Sequence, residues 1–332
     1  ASRTDTNVTA DIDVTANFVI DTHTVTSSVG PAPSTGSISP LGGQLIDYGS
    51  TTQFTLTPAA NHHIASVGGT CGGTLTDNTY TTNPITVNCT VVANFAIDTF
   101  DLTYTAGTGG SITGDTSQTV NYNESGTEVT AVPNAHYSFD EWSDAVATAS
   151  RTDTNVTADI SVTAKFVIDT HTVTSSVGTG TGSISPLGAQ EIDYGTTTQF
   201  TLTPGTGYQV DSVGGDCGGT LVDNTFTTAT ITAACTVVAN FAIDTFTIGG
   251  TVSGLEGSGL VLVNNGVDDE AIAGDGAFTF DTALDDGSGY AVTVKTQPTI
   301  PNQICSVTNG SGTLAGSNVT NVAVTCVSEQ EQ

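Results

Sequence analysis

Six cysteines are the residues of this chain best suited to specific chemistry, and they fall into three pairs. The pairs are Cys71 with Cys89, Cys217 with Cys235, and Cys305 with Cys326. The first two pairs share one spacing, and no cysteine lies in a CxxC motif or at zinc-ligand spacing from a histidine. We therefore predict three local disulfides, each contributing about 3 kcal/mol in the chain-entropy model. Such bridges indicate an oxidising location, either periplasm, cell surface or medium.

The histidines offer no catalytic or metal-binding arrangement. His62 and His63 are adjacent, so their side chains point to opposite faces of a strand and cannot easily share a metal ion. No Ser–His–Asp arrangement can be proposed from spacing. We expect no catalytic residue, no cofactor-binding residue and no enzyme activity.

Acidic residues are candidate calcium ligands at two kinds of place. One group lies in the C-terminal quarter: Asp268, Asp269, Glu270, Asp285 and Asp286. Its spacing does not fit a calcium loop, and a solvated turn is the alternative. A second group recurs at segment boundaries: Asp21, Asp98, Asp169 and Asp244. These carboxylates could hold an ion or could hydrogen-bond the following turn. We expect no metal or other cofactor, with Ca²⁺ as the open possibility.

The charge balance restricts the partners of the chain. Four basic residues face 33 acidic ones, a formal net charge of −29. Such a chain repels phosphate backbones and anionic membrane surfaces, which argues against nucleic-acid binding. No apolar run is long enough to cross a bilayer, so we expect no membrane span.

The elements that position these residues come from an internal repeat. Residues 149–178 copy residues 1–30 with only two changes, so the chain is an array. A Phe-x-Ile-Asp-Thr motif ends each predicted module: it begins at Phe18, Phe95, Phe166 and Phe241. Short alternating runs bounded by Gly, Asn, Asp and Pro predict an all-β fold, a tandem array of small β modules with a C-terminal β-sandwich.

Five segments follow from this motif. They are 1–21, the C-terminal half of a module, with orphan strands; 22–98, a disulfide-bearing first module; 99–169, a cysteine-free second module; 170–244, a disulfide-bearing third module; and 245–332, a β-sandwich with a short acidic tail. In the second module Val146 and Ile160 align with the cysteine pairs, and an apolar pair in place of a covalent one indicates a buried structural contact.

The modules resemble the divergent internalin-type B repeat of bacterial surface proteins. The resemblance rests on the order Gly-Ser-Ile, Tyr-Gly, a Thr-rich strand ending in Pro, and then HYSFDEW. It is best in residues 99–169, where Tyr137, Phe139 and Trp142 match the family's Tyr-x-Phe-x-x-Trp positions. The other two modules lack the Trp and gain a disulfide. The resemblance implies tandem β-rich modules in secreted or surface-anchored proteins, used as stalks or adhesin segments, with no catalytic residues.

Residues 245–327 resemble a different module, the small transthyretin-like or immunoglobulin-like β-sandwich of bacterial extracellular proteins. The signals are strands of even length separated by Asn-Gly, Asp-Gly and Ser-Gly turns, together with one cysteine pair.

The N-terminal half module predicts a contact between subunits. Its apolar residues are Val8, Ile12, Val14, Phe18 and Ile20. Two strands alone are marginal in water, and an unpaired apolar edge attracts a partner. We expect these residues to pair with another copy of the chain, end to end, by strand complementation. The alternative is that the segment folds back on residues 22–98.

Together these features predict a non-enzymatic, extracellular bacterial structural protein, secreted or on the cell surface. It would be the repeat stalk of an adhesin or the subunit of a filament, with a possible host or matrix glycan or protein ligand. The alternative is a carbohydrate-binding array, which needs exposed aromatic side chains. Trp142 beside Asp140 and Glu141 is the candidate sugar platform, but it aligns with Val67 and Val213, which favours core packing.

Overall fold

The structure is a computed structural model that describes residues 1–328. These residues form strands and turns and no helix, which confirms the all-β fold class. Within the same residues we find no helix with the length and apolar character that crossing a bilayer requires. The predicted acidic tail, residues 329–332, lies outside the described residues. The chain divides into two compact units, Ala1–Val167 and a second that begins at Ile168.

The first module contains eight strands in two sheets. The strands are β1 (Thr22–Val29), β2 (Gly36–Ser39), β3 (Gly42–Asp47), β4 (Gln53–Pro58), β5 (His62–Gly69), β6 (Gly73–Thr76), β7 (Thr79–Thr82) and β8 (Cys89–Ile97). One sheet has the order β3-β1-β8-β5 and the other the order β2-β4-β7-β6. Buried side chains from both sheets make one core.

The second module repeats this plan with a reduced second sheet. The strands are β9 (Thr99–Ala106), β10 (Gly110–Thr113), β11 (Ser117–Asn121), β12 (Val129–Pro133), β13 (Tyr137–Trp142), β14 (Ser150–Arg151) and β15 (Ile160–Ile168). The sheet orders are β11-β9-β15-β13 and β10-β12-β14.

The third module restores eight strands. They are β16 (Thr170–Val177), β17 (Gly182–Ser185), β18 (Gly188–Asp193), β19 (Gln199–Pro204), β20 (Tyr208–Gly214), β21 (Gly219–Val222), β22 (Thr225–Thr228) and β23 (Cys235–Ile243). The sheets are β18-β16-β23-β20 and β17-β19-β22-β21, the same two orders as in the first module.

The remaining strands form a β-sandwich with a core of its own. They are β24 (Thr245–Phe246), β25 (Ile248–Ser253), β26 (Leu260–Asn264), β27 (Asp268–Ile272), β28 (Gly276–Thr279), β29 (Leu284–Asp285), β30 (Gly289–Thr296), β31 (Gln303–Thr308), β32 (Ser311–Thr313) and β33 (Val319–Ser328). Sheets β28-β25-β33-β31 and β27-β26-β30-β32 make the two layers, and β24 pairs with β29.

The alternation of buried and exposed residues along the strands explains how each core forms. In β4, Phe54 and Leu56 are fully buried while the intervening Gln53, Thr55 and Thr57 are exposed. This period of two places one face of the sheet against the core and the other in water. In β5 the inward positions break the period, since His62, Ile64 and Val67 all lean inward. The register of β5 against β8 shifts between Ile64 and Ser66, so a bulge absorbs the extra residue.

A glycine and a phenylalanine meet in all three modules. Gly110, the first residue of β10, lies against the ring of Phe166, and a Cβ built on Gly110 would be 2.2 Å from that ring. Gly36 faces Phe95 and Gly182 faces Phe241 in the same way. The Phe of the module-ending motif therefore packs flat on the backbone of the Gly-Ser-Ile strand, where only glycine leaves room.

Residues 1–21 correct one prediction. They form no strand, since the first strand of the chain begins at Thr22. Val8, Ile12, Val14 and Ile20 are exposed, and Phe18 is 94% exposed. The orphan strands are therefore not formed in this chain by itself, and whether the segment pairs with the first module or with another copy stays a prediction. The physical reason is that a strand needs a neighbour for its backbone hydrogen bonds, and the chain supplies none here.

Candidate functional site

The cysteines lie in three disulfides, each within one module. Cys71–Cys89 and Cys217–Cys235 both span 18 residues of sequence, and Cys305–Cys326 spans 21. Cys71 follows β5, and Cys217 follows β20. Each is bridged to the first residue of its module's last strand, which is Cys89 of β8 or Cys235 of β23. In the second module, Val146 and Ile160 both pack on the core cluster at the corresponding place.

The densest group of ionisable side chains is in the second module, centred on Arg151. The side chain of Arg151 is 6% exposed. Its Nη1 and Nη2 donate to the two carboxylate oxygens of Asp144 at 2.9 and 3.0 Å. Its Nε and Nη2 donate to Asp153 at 3.1 and 2.6 Å. The guanidinium also lies 5.1 Å from the centroid of the Trp142 ring and 5.8 Å from that of Tyr104.

Every polar atom in this Arg151 cluster has a partner. The Tyr104 hydroxyl donates to Asp153 at 2.7 Å, and the Trp142 Nε1–H donates to the Thr148 carbonyl at 3.0 Å. Trp142 itself is fully buried. Among the described residues, no buried side-chain nitrogen or oxygen lacks a hydrogen bond.

The electrostatics of the cluster favour fixed protonation states. Burial works to lower the pKa of Arg151, but hydrogen bonds to Asp144 and Asp153 outweigh it and raise that pKa. Burial, and then the hydrogen bond to Asp153, raise the pKa of the Tyr104 hydroxyl. The hydrogen bonds from Arg151 lower the pKa of Asp144. A charged Arg, an ionised Asp and a neutral Tyr exchange no proton near neutral pH, so the cluster is suited to holding the module together and unsuited to acid–base catalysis.

The sequence analysis missed Arg151. This residue lies opposite Val129 in the β12–β14 ladder, the place that Tyr80 takes opposite Phe54 in the first module. A cation thus replaces a buried aromatic ring. A signal was available, because Arg151 is one of only four basic residues and the N-terminal copy retains an Arg and an Asp at the same spacing.

The C-terminal acidic residues do not converge on one point. Asp269 pairs with Lys295. Asp286 Oδ1 accepts a hydrogen bond from the backbone of Gly316 at 2.8 Å. Burial, and then Asp281 and Asp268, raise the pKa of Glu270. Within residues 1–328, no three His, Cys, Asp or Glu side chains are grouped as metal ligands would be. The possible Ca²⁺ stays a prediction.

The boundary aspartates hydrogen-bond through their backbones, and the Asp98 carboxylate also contacts His63 Nδ1 at 3.0 Å. The carbonyls of Asp21, Asp98 and Asp169 each accept a hydrogen bond from the next module's marker tyrosine, at 2.8 Å: Tyr48, Tyr122 and Tyr194. Asp244 accepts likewise from Asp286 N. Asp98 and Asp244 also donate their own N–H groups backwards, to Asn61 and Gly207. Each of these two residues is therefore hydrogen-bonded to both modules that it joins.

Comparison with known families agrees with this geometry. Residues 27–99, 100–170 and 171–245 each match the divergent InlB B-repeat domain. The chain belongs to the divergent InlB B-repeat family. Its B-repeats stand in three tandem copies, and the Gly–Phe contact and the boundary hydrogen bond recur in each copy.

Two solved structures are similar to this B-repeat chain over most of its length. One is the Bacillus anthracis TIE protein, with 9% identity, a TM-score of 0.33, and coverage of 90% of this chain and 66% of that one. The other is the open conformation of the pilus adhesin SpaC from Lactobacillus rhamnosus GG, with 9% identity, a TM-score of 0.23, and coverage of 85% and 57%. The chain thus spans less than two thirds of either protein. No curated protein sequence matches it.

Proposed function

We propose that the chain is a non-enzymatic repeat stalk of a bacterial surface adhesin, outside the cell. The observation that carries this proposal is the tandem series of three B-repeats, each with its own core, with Asp98 and Asp244 hydrogen-bonded to the modules on both sides of them. Stability in such an array adds module by module, so length can change without loss of folding. That property suits a spacer.

Composition and covalent structure support the extracellular location. The three disulfides would be reduced in most cytosols and persist in an oxidising compartment. The net charge of −29 favours solubility. The same charge disfavours binding to nucleic acid or anionic lipid.

The stalk proposal is tested by excision of a module. The chain is displayed between a cell anchor and an epitope tag, and residues 99–169 are removed in frame. We expect a folded chain whose tag is less accessible to a bulky antibody, because the spacer is shorter. Excision of 170–244 is the matched control and should have the same effect. If the purified chain instead binds cells or matrix and either excision abolishes that binding, the modules are ligand-binding elements and the proposal is wrong.

A second proposal concerns residues 1–21, as the segment through which subunits join in a filament. Residues 12–20 copy the central strand β15 with two changes, yet Phe18 is 94% exposed. In the second module the equivalent Phe166 packs on Gly110. We propose that residues 1–21 complete a sheet of another subunit, and sedimentation of the full chain tests this. Phe18→Asp should abolish association while Val267→Asp, also on an exposed side chain, should not. A full chain that remains monomeric at high concentration would contradict the filament.

No observation favours the carbohydrate-binding alternative. It depended on exposed aromatic side chains, and its main candidate, Trp142, lies inside the core with its ring against Arg151. A glycan or protein ligand of the whole adhesin would then bind elsewhere than on this ring.

A further inference from the structure

The first and last strands of each B-repeat are neighbours and run parallel, as do the second and last strands of the sandwich. In the three B-repeats β1 pairs with β8, β9 with β15, and β16 with β23. In the C-terminal sandwich β25 pairs with β33 in the same sense. Each parallel register contains five residue pairs. The recurrence is notable because the sandwich has a different strand order from the B-repeats.

This pairing determines how a pull on the chain loads a module. Tension enters at the N-terminal end of the first strand and leaves at the C-terminal end of the last. In a parallel pair these two ends lie at opposite ends of the ladder, so the force acts along the strands. All the hydrogen bonds between the strands must then yield together. If the same strands were pulled from adjacent ends, the bonds would break one after another at a lower force.

We propose that all four modules are shear-loaded clamps, and that the chain bears tension along its length. The inference deepens the proposed stalk function and rests on it for its biological setting. The junctions fit this role, because Asp98 and Asp244 are hydrogen-bonded to the modules on both sides. Force therefore passes from a last strand to the next first strand with little intervening chain.

The disulfides limit how far a yielding module can extend. Cys71–Cys89 and Cys217–Cys235 each enclose a hairpin within an 18-residue interval, and Cys305–Cys326 encloses a 21-residue interval. The enclosed residues stay out of the force path when the module opens. The second module has no bridge, so it releases the longest extension of the three B-repeats.

One hydroxyl pair reinforces the clamp of the second module and offers a precise probe. Thr105 on β9 and Thr163 on β15 are joined by a hydrogen bond of 2.6 Å between their hydroxyl groups. Thr130 on β12 and Ser150 on β14 make a similar bond of 2.8 Å in the other sheet, away from the terminal strands. Thr→Val keeps the branched shape and removes the hydroxyl in both cases.

The experiment is single-molecule stretching of the full chain at constant force. The second module is identified by the long increase in chain length when it unfolds. We expect Thr105→Val to accelerate unfolding of that module about 2- to 10-fold, the effect of losing the hydroxyl's hydrogen bonds to Thr163 and to the Val162 carbonyl. Thr130→Val should leave the rate under force unchanged. Fluorescence of Trp142, the single tryptophan of the chain, should show that both variants fold and lose comparable stability without force.

A second measurement uses the chain without the Thr→Val substitutions. Handles placed at Thr99 and Val167 pull the second module in shear, whereas handles at Ala106 and Val167 peel the same strands from adjacent ends. We expect a lower unfolding force for the second pair. Reductant should lengthen the release of the first module, the third module and the sandwich and leave that of the second module unchanged.

Equal unfolding forces for the two handle pairs, or equal acceleration by Thr105→Val and Thr130→Val, would overturn the clamp. Either result would leave the stalk proposal standing, because a spacer need not resist force. Conversely, loss of the stalk role in the excision experiment would not alter the mechanical measurement.

Discussion

At the scale of single residues, Arg151 is the most constrained charge in the chain. Its guanidinium is enclosed by two carboxylates and two aromatic rings in the module that has no disulfide. Removing one member of a buried ion pair leaves an unpaired charge behind, which costs more than the pair contributes. The N-terminal copy contains the same pair, Arg3 with Asp5, on the exposed surface.

Arg151→Met should destabilise the second module by roughly 2–4 kcal/mol, since Asp153 is left half-buried without its partner. Lys165→Met, which removes the exposed Lys165–Glu141 pair of the same module, should change little, because an exposed pair contributes little. The measurement is urea unfolding followed by Trp142 fluorescence, which reports the second module alone. A similar small loss in both variants would mean that the Arg151 cluster does not hold the module together.

The Arg151 cluster also predicts that the stability of the second module depends on pH. The pKa of Asp144 is lowered in the folded state by the hydrogen bonds from Arg151. A lowered folded-state pKa contributes stability above the ordinary value of 3.8, and that stability is lost as the pH falls through the folded value. We expect the urea concentration at the unfolding midpoint, measured by Trp142 fluorescence, to decrease as the pH is lowered below about 4. This decrease should be less steep in Asp144→Asn. Identical slopes would exclude Asp144 as the cause.

At the scale of elements, the Gly–Phe contact joins the beginning of each module to its end. Gly110 in β10 and Phe166 in β15 are far apart in sequence, yet they lie in contact in the core region. The same contact occurs at Gly36 with Phe95 and at Gly182 with Phe241. It explains why a Gly-Ser-Ile strand and a Phe-x-Ile-Asp-Thr motif occur together in every complete module.

Gly110→Ala should destabilise the second module by about 1–3 kcal/mol, because the new Cβ overlaps the Phe166 ring. Gly43→Ala is the control, since a Cβ there meets only Thr24 at an ordinary contact distance of 3.4 Å. Thermal unfolding of both variants gives the comparison. The Gly110→Ala, Phe166→Leu double variant should recover part of the loss, and failure to recover any would contradict the contact as its cause.

At the scale of the whole molecule, the acidic surface is the dominant property. A net charge of −29 repels itself within the folded chain, and only two exposed lysines and one exposed arginine moderate it in the described residues. Salt shortens the range of this repulsion from about 10 Å at 0.1 M to about 3 Å at 1 M. Stability should therefore depend strongly on ionic strength.

We expect the thermal midpoint to rise as NaCl increases from 0.1 to about 1 M, the range over which screening becomes short. Chelation at constant ionic strength should leave the midpoint unchanged. Calcium and magnesium at equal concentration should act alike, as general screening ions do. A rise with calcium far above that with magnesium would reveal a specific site and would restore calcium as a cofactor.

Much of the fold could be predicted from the sequence because the chain contains three related modules that can be aligned with one another. Aligned modules separate positions that stay apolar, such as Phe54 and Phe200, from the threonines that alternate with them. They also pair the cysteines, because two sister modules carry the same spacing. Period-two alternation is a local signal, and it predicted the strands of the three modules. The N-terminal half module forms no strand in this chain, because a local pattern does not reveal whether a partner strand is present.

Only the tertiary structure decided which distant residues meet. Several contacts join residues far apart in sequence: Tyr104 with Arg151, the glycine beneath each Phe ring, the junction bonds of Asp98 and Asp244, and the parallel pairing of first and last strands. No local pattern encodes such pairs, because they depend on how two sheets are placed against one core. The sequence by itself determined which side chains each strand buries, and the tertiary structure determined which residues of other strands contact them.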